Sequence, residues 1–236
     1  MLFSRLSTLL LFSLLALCTA LAPDKNRWKK PDFCGKLECP PFKLADDRES
    51  YEIRTYEKGH WVHINVTDKK YETAYVKGAA ALLKYFKGDN EDEKHMEITT
   101  PTLAAIKMSK DAQETEREYI FSMWIDPAEF KEEPPKPKNE DLEVKEYDEI
   151  TVYSRQFGGF ATENSILQEA NALHHELADD DEEFDQDMVF VAVYDPAVKL
   201  LNRHNEVHVE KKAGPPSSFT FYECDDGVEE PVVAVT

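Results

Sequence analysis

Tyr51-Glu-Ile-Arg-Thr-Tyr56 and Trp61-Val-His-Ile-Asn-Val66 are two short runs in which Tyr, Ile, Val and Trp alternate with polar residues. Period-two alternation of these residue types predicts strands near 51–56 and 60–66. Leu142-Glu-Val-Lys-Glu-Tyr147 and Ile150-Thr-Val-Tyr-Ser-Arg155 restate the pattern about 91 positions later. A helical stretch follows each pair, and then Met96-Glu-Ile-Thr-Thr in one half and Met188-Val-Phe-Val-Ala-Val in the other. The offset reads as 91 or 92 from Glu52/Glu143 to Met96/Met188, so the chain states one unit twice. Two half-sheets that each carry an apolar face bury it by facing one another. The cleft along such a pseudo-symmetry axis is a natural ligand site.

Residues 70–87 give the clearest helix. Tyr71, Ala74, Tyr75, Gly78, Ala81, Leu82 and Tyr85 recur at helical spacing, and Gly88 ends the run. Further strands are expected near 95–99, 103–108 and 117–125. Prolines crowd the linker 126–139 and exclude helix or central strand there. The second half predicts strands near 142–147 and 150–156, a turn at Gly158-Gly159, a helix near 163–177, and strands near 188–194 and 206–211. The halves thus span about 51–125 and 142–211 of a domain covering 50–212. Residues 23–49 read as an irregular Cys- and Pro-containing strap, and 213–236 as a flexible tail.

Residues 1–22 have the form of a signal peptide: Arg5, the apolar run Leu9–Leu17, and Ala20-Leu-Ala22 for cleavage. The run is too short to span a bilayer, so a secreted, extracellular protein without membrane insertion is expected. Cys34, Cys39 and Cys224 then remain. A local Cys34–Cys39 disulfide is the first choice and Cys39–Cys224 the rival. No second Cys or His pair stands at zinc-ligand spacing, so no metal site is expected. The net charge of −19 argues against nucleic acid and anionic membranes as partners. The acidic run from Asp179 to Asp187 lacks the ligand pattern of a calcium loop and reads as a solvated connection. Asn65-Val-Thr67 is the single N-glycosylation sequon.

Tyr194-Asp-Pro-Ala-Val-Lys-Leu-Leu-Asn-Arg-His-Asn-Glu-Val-His208 joins the last two strands. Together with Tyr51-Glu-Ile-Arg, Trp61-Val, Thr99-Thr-Pro101 and Ile150-Thr-Val-Tyr-Ser-Arg-Gln-Phe-Gly-Gly-Phe160, it resembles the SOUL haem-binding protein family from about Tyr51 to Lys211. The leader and the Cys34…Cys39 strap resemble a secreted branch. The resemblance implies an α+β fold, a distorted antiparallel β-barrel of two pseudo-repeated βαββ-like halves with two flanking helices. It also implies a haem or another tetrapyrrole as the bound small molecule.

A porphyrin is a flat apolar disc with two propionates. It needs an apolar surface, cations at the rim and, optionally, an axial ligand. The helix 70–87 offers small residues, Ala74, Gly78 and Ala81, where a ring can approach. Lys70, Lys77 and Lys84 recur along the edge of that stripe. An ordinary amphipathic helix with water-facing lysines has the same pattern. The axial His that the resemblance implies for some family members would follow the Arg of Tyr-Glu-Ile-Arg, and Thr55 stands there. His63 and His60 are the remaining axial candidates, and a site without a dedicated axial ligand is expected. His174 and His175 are helical neighbours that cannot share a metal, and His204 and His208 fall in the closing hairpin. No nucleophile, P-loop or metalloprotease motif occurs, so catalysis is not expected. The competing reading is a secreted interaction module in which loops 126–139 and 195–205 bind an extracellular protein and the groove is vestigial.

Overall fold

The computed structural model describes residues 28–108 and 115–212. The leader, Cys224 and the residues after Lys212 lie outside them. A short 3-10 turn, Asp32–Cys34, precedes nine strands and two helices. The strands are β1 (Phe42–Asp47), β2 (Glu52–Tyr56), β3 (Gly59–Thr67), β4 (Thr102–Met108), β5 (Thr115–Trp124), β6 (Leu142–Tyr147), β7 (Ile150–Phe157), β8 (Met188–Val193) and β9 (Asn205–Glu210). Helix α1 (Tyr71–Phe86) follows β3, and α2 (Glu163–Asp179) follows β7. The strands form one antiparallel curled sheet in the order β1-β2-β7-β9-β8-β4-β5-β3-β6.

Apart from β1, that order reads the same from either end when the halves are exchanged. A pseudo-twofold axis therefore passes between β4 and β8, and each half lends its first strand to the other. Tyr56 faces Ile150 where Tyr147 faces Gly59, and Glu52 faces Ser154 where Glu143 faces His63. The register carries the equivalence across the sheet. His63 pairs with Ser122 as Ser154 pairs with His208, and Ala105 pairs with Ile120 as Ala192 pairs with Glu206. The segment 95–99 is not a strand, and Met96 is not the counterpart of Met188. β4 is the counterpart of β8, because the connection from α1 to β4 is longer than that from α2 to β8 and shortens the offset. Met96 is instead held by a backbone bond to Phe86 at the end of α1. Contrary to expectation, β1 lies within the segment read as irregular strap. Its Lys, Asp and bulged register suit an exposed sheet edge, where charge discourages further pairing.

Side chains alternate across the strands, so the sheet has two chemically distinct faces. Both helices cover one of them, the helical face. Val62, Ile64, Ala104, Ile106, Phe121, Val191, Val207 and Tyr153 meet Leu82, Tyr85, Ile166 and Leu173 there in a single core. A Thr162–Ser165 capping box starts α2. Arg155 ties α2 to the sheet through Glu169 and Glu176, both at 2.9 Å. The acidic connection after α2 is not merely solvated. Asp180 accepts from Tyr51 at 2.6 Å, and Glu182 accepts from Tyr153 at 2.6 Å and Lys211 at 2.7 Å. The other face, the strap face, receives the N-terminal segment. Cys34 and Cys39 form the local disulfide and pack on Ala192 and Tyr194, with Trp28, Phe33 and Leu103 around them.

Candidate functional site

Helix α1 was the expected ligand surface, and the structure divides its residues between two sides. Ala74 and Gly78 are buried and face the sheet. A Cβ placed on Gly78 would clash with the Phe121 ring. Glycine is therefore needed for close helix–sheet approach, and Phe121 fills the slot that the small residues were expected to leave for a planar ligand. Ala81 is half-buried beside the same core. Lys77 and Lys84 are exposed, and Lys77 pairs with Asp68 at 2.6 Å. Lys70 caps the helix start and is exposed. The outer flank of α1 presents Val76, 66% exposed, with Ala80 one turn further on.

The loop between β8 and β9 comes to the same end of the molecule. Arg203 is buried and organises this loop from within. Its guanidinium donates to the carbonyls of Asp195, Pro196 and Lys199 at 2.7–2.9 Å, and its plane lies 4.5 Å from the Phe160 ring. Asp195 adds a bond from the His204 amide at 2.7 Å and an ion pair with Lys199. With its polar groups turned inward, the loop presents Val198, Leu200 and Leu201 to solvent, 86%, 70% and 78% exposed. Tyr75 links loop and helix. Burial pushes its phenol up, while a hydrogen bond with Thr102 and the charge of Arg203 pull it back. The N-terminus of α2 closes the arrangement, since the Glu163 amide donates to Glu72 of α1 at 3.2 Å. The most exposed aliphatic side chains thus belong to one end of the molecule, on a loop held rigid by a buried cation. Sequence reasoning placed this segment as a connection. Its signal was an apolar triplet, Val198, Leu200 and Leu201, with neither helical nor strand period between Pro196 and Asn202.

The axial candidates are elsewhere. His63 lies on the strap face, opposite α1, with Nε2 3.2 Å from Glu143 and Nδ1 buried without a partner. His60 packs edge-on against Phe130 and lies 3.3 Å from Glu133. Thr55 is on the helical face, its hydroxyl 3.0 Å from that of Thr151. Among the described residues, no group of three or more His, Cys, Asp or Glu is placed to hold a metal ion.

The strap face holds a second constellation that sequence spacing did not reveal. Glu206 is fully buried and accepts Arg54 in bidentate fashion at 2.9 and 3.0 Å, with Tyr194 at 2.9 Å, His204 at 2.7 Å and His208 at 2.9 Å. Burial alone would push the Glu206 carboxyl up. The His204 and His208 donors and the Arg54 charge outweigh it and hold the group well below the usual carboxylate range. Phe33 of the strap seals the cluster, stacked 4.2 Å from His204 and lying, with Phe42, against the Arg54 guanidinium. Arg54 and Glu206 stand 152 residues apart, and only the sheet brings them together.

A family model described as "SOUL heme-binding protein" matches residues 37–210. The chain belongs to the SOUL haem-binding protein family. Heme-binding protein 2 of Homo sapiens is 31% identical over 183 residues, covering 76% of this chain and 88% of that protein. Heme-binding protein 1 of Mus musculus is 32% identical over 182 residues, covering 75% and 94%. Among solved structures, an EcmrR–DNA complex determined by cryo-EM aligns with TM-score 0.50 at 11% identity, over 69% of this chain and 57% of that one, a likeness of fold alone. In this SOUL chain, Glu206 and Arg203 belong to the string that carries the resemblance. Their geometry gives that string a structural reason, since one residue ties β9 to β2 and the other shapes the loop.

Proposed function

We propose that this chain is a secreted haem- or tetrapyrrole-binding protein, a carrier or scavenger, whose ligand lies on the outer flank of α1 against the β8–β9 loop. The observation that carries the reading is the display of Val198, Leu200 and Leu201 on a loop shaped by Arg203, with Val76 also exposed on α1, in a family whose named relatives are haem-binding proteins. Exposed aliphatic side chains on a loop pre-shaped by Arg203 give a flat apolar ring a surface at little ordering cost. Lys77 on α1 and Lys199 on the loop carry ammonium groups that can meet propionates while their stems cover apolar surface. Their present partners, Asp68 and Asp195, are exchangeable surface contacts. His63 is turned to Glu143 on the strap face and His60 packs on Phe130, so binding proceeds without a dedicated axial ligand and tolerates metal-free porphyrins. Secretion is supported by the leader sequence and by the Cys34–Cys39 disulfide, a bond of oxidising compartments.

Titration of the purified chain with haemin and with protoporphyrin IX tests this. A saturable spectral change in the micromolar range is expected for both. Leu200→Glu with Leu201→Glu should weaken binding at least tenfold, a change of about 1.4 kcal/mol. Lys77→Glu should weaken it less, and His63→Ala should leave it unchanged. A flat titration sinks the proposal and favours the interaction module, for which the same loop supplies the apolar anchors. A sharp Soret shift abolished by His63→Ala would instead move the ligand to the strap face.

A further inference from the structure

A cavity of about 380 Å³ opens on the strap face, lined by Asn65, Thr67, Ala105, Lys107, Ile120 and Met188 among others. It is the pseudo-symmetric image of the seat that the strap fills. Ala105 and Ile120 stand where Ala192 and Glu206 stand in the other half, and Lys107 stands where Tyr194 does. Trp28, Phe33 and the disulfide pack around Ala192 and Tyr194, so the strap covers one seat. Ile120 in the other remains 38% exposed. The wall of this second seat is the sequon itself. β6 makes its last pairing where Leu142 meets Ile64, so β3 has an open flank from Asn65 onward. Asn65 pairs with Ile120 on the remaining side, and Asn65 and Thr67 are both exposed on the strap face.

We propose that Asn65 carries an N-linked glycan whose first sugar rings lie over Ile120, Ala105 and Met188, covering in this half what the strap covers in the other. The inference rests on the secretion reading and is independent of the tetrapyrrole. The donor is a polyprenyl-pyrophosphate-linked oligosaccharide of the secretory pathway. Asn65 Nδ2 forms a bond to the sugar C1 and gives up a proton. The C1–O bond breaks, and its electron pair leaves with the pyrophosphate. No oxidant or reductant enters. Sugar rings suit this seat because their C–H faces pack on aliphatic side chains while their hydroxyls reach water and the charged Lys107 and Glu118 at the rim. Among the described residues, neither β6 nor the strap crosses the position to stop modification.

The full chain is expressed in a secreting eukaryotic cell, and the medium is analysed by intact mass before and after N-glycosidase. The expected result is a glycan mass on the secreted wild type that Thr67→Ser retains and Thr67→Ala abolishes. Thr67→Ala should also bind an apolar fluorescent dye several-fold more strongly than the glycoprotein, and adding Ile120→Ser should remove the excess. A chain found in the medium with Asn65 unmodified overturns the site while sparing the secretion reading. A chain retained inside the cell overturns both. A glycan present with dye binding equal in wild type and Thr67→Ala overturns the seat.

Discussion

The two halves share a backbone register but not an interior chemistry, and the strap face shows the contrast most sharply. Glu206 and Ile120 occupy equivalent places, as do Arg54 and Lys145, His208 and Ser122, and Tyr194 and Lys107. In the half under the strap these positions form a buried ion network with an aromatic lid. In the open half they are an aliphatic floor with a charged rim. A carboxylate and a guanidinium can be withdrawn from water only when the geometry pairs them and further donors satisfy the remaining lone pairs. Where none of the described segments covers the sheet, there is no occasion to build such a network. Duplication thus fixes the positions of side chains, and the added N-terminal segment decides which chemistry they carry.

The largest test of this contrast is to break the network on one side and its counterpart on the other. Arg54→Ala leaves Glu206 buried without its main countercharge and should cost about 3–5 kcal/mol in denaturant unfolding. Lys145→Ala, its exposed equivalent, should stay within about 0.5 kcal/mol. Equal losses would refute the reading of one closed and one open half. Acid provides a second view of the same group. The folded-state Glu206 carboxyl is held below its unfolded value, so its contribution is complete above the ordinary Glu range and fades as pH falls through the lowered folded value. Stability measured from neutral pH downward should therefore fall less steeply in Glu206→Gln, which starts from a lower plateau.

The helical face gives an intermediate effect. Gly78 on α1 meets Phe121, and the equivalent positions in the second half are Ala170 and Val207, all four buried. The halves trade volume between helix and strand. Gly78→Ala should cost about 1–3 kcal/mol through overpacking, whereas Gly78→Ala with Phe121→Val, the pair found in the second half, should recover part of that loss. Additive losses in the double variant would show that the exchange is not a packing unit. The smaller effect belongs to the strap. Cys34 and Cys39 stand five positions apart, and closing so short a loop is worth about 2 kcal/mol by chain entropy. Cys34→Ser with Cys39→Ser should loosen the lid over His204 and Arg54, raising amide exchange in the strap and β9 more than in the open half.

Much of the architecture was legible because burial on one face imposes a period that the residues must obey. The strands near 51–56, 60–66, 142–147 and 150–156 and both helices follow from alternation and helical spacing, and the family string fixed their order. The failures have specific causes. Phe42-Lys-Leu-Ala-Asp-Asp47 carries charge where strands are usually apolar, because an edge strand must repel further partners. Met96-Glu-Ile98 has strand composition but serves as a strut, with Thr99 and Thr100 hydroxyls bound to the Trp124 and Tyr194 carbonyls. Ala74 and Gly78 gave the right spacing and the wrong neighbour. A stripe of small residues reads the same whether a ligand or a phenylalanine from another strand approaches it. For the loop, nothing in Val198-Lys-Leu-Leu201 shows that Arg203 turns the polar groups inward.

The sequence by itself determined the duplication, the helix and strand periods and the family, and left the local disulfide as the first of two pairings. Those properties depend on neighbours within a few residues or on motifs long enough to be specific. Only the tertiary structure decided which small residues are packing and which surface is free, where Arg54 finds Glu206, and that one seat of the duplicated sheet is covered while the other stands open. Such facts are contacts between residues distant in the chain, and a one-dimensional pattern carries the chemistry of each partner without their meeting.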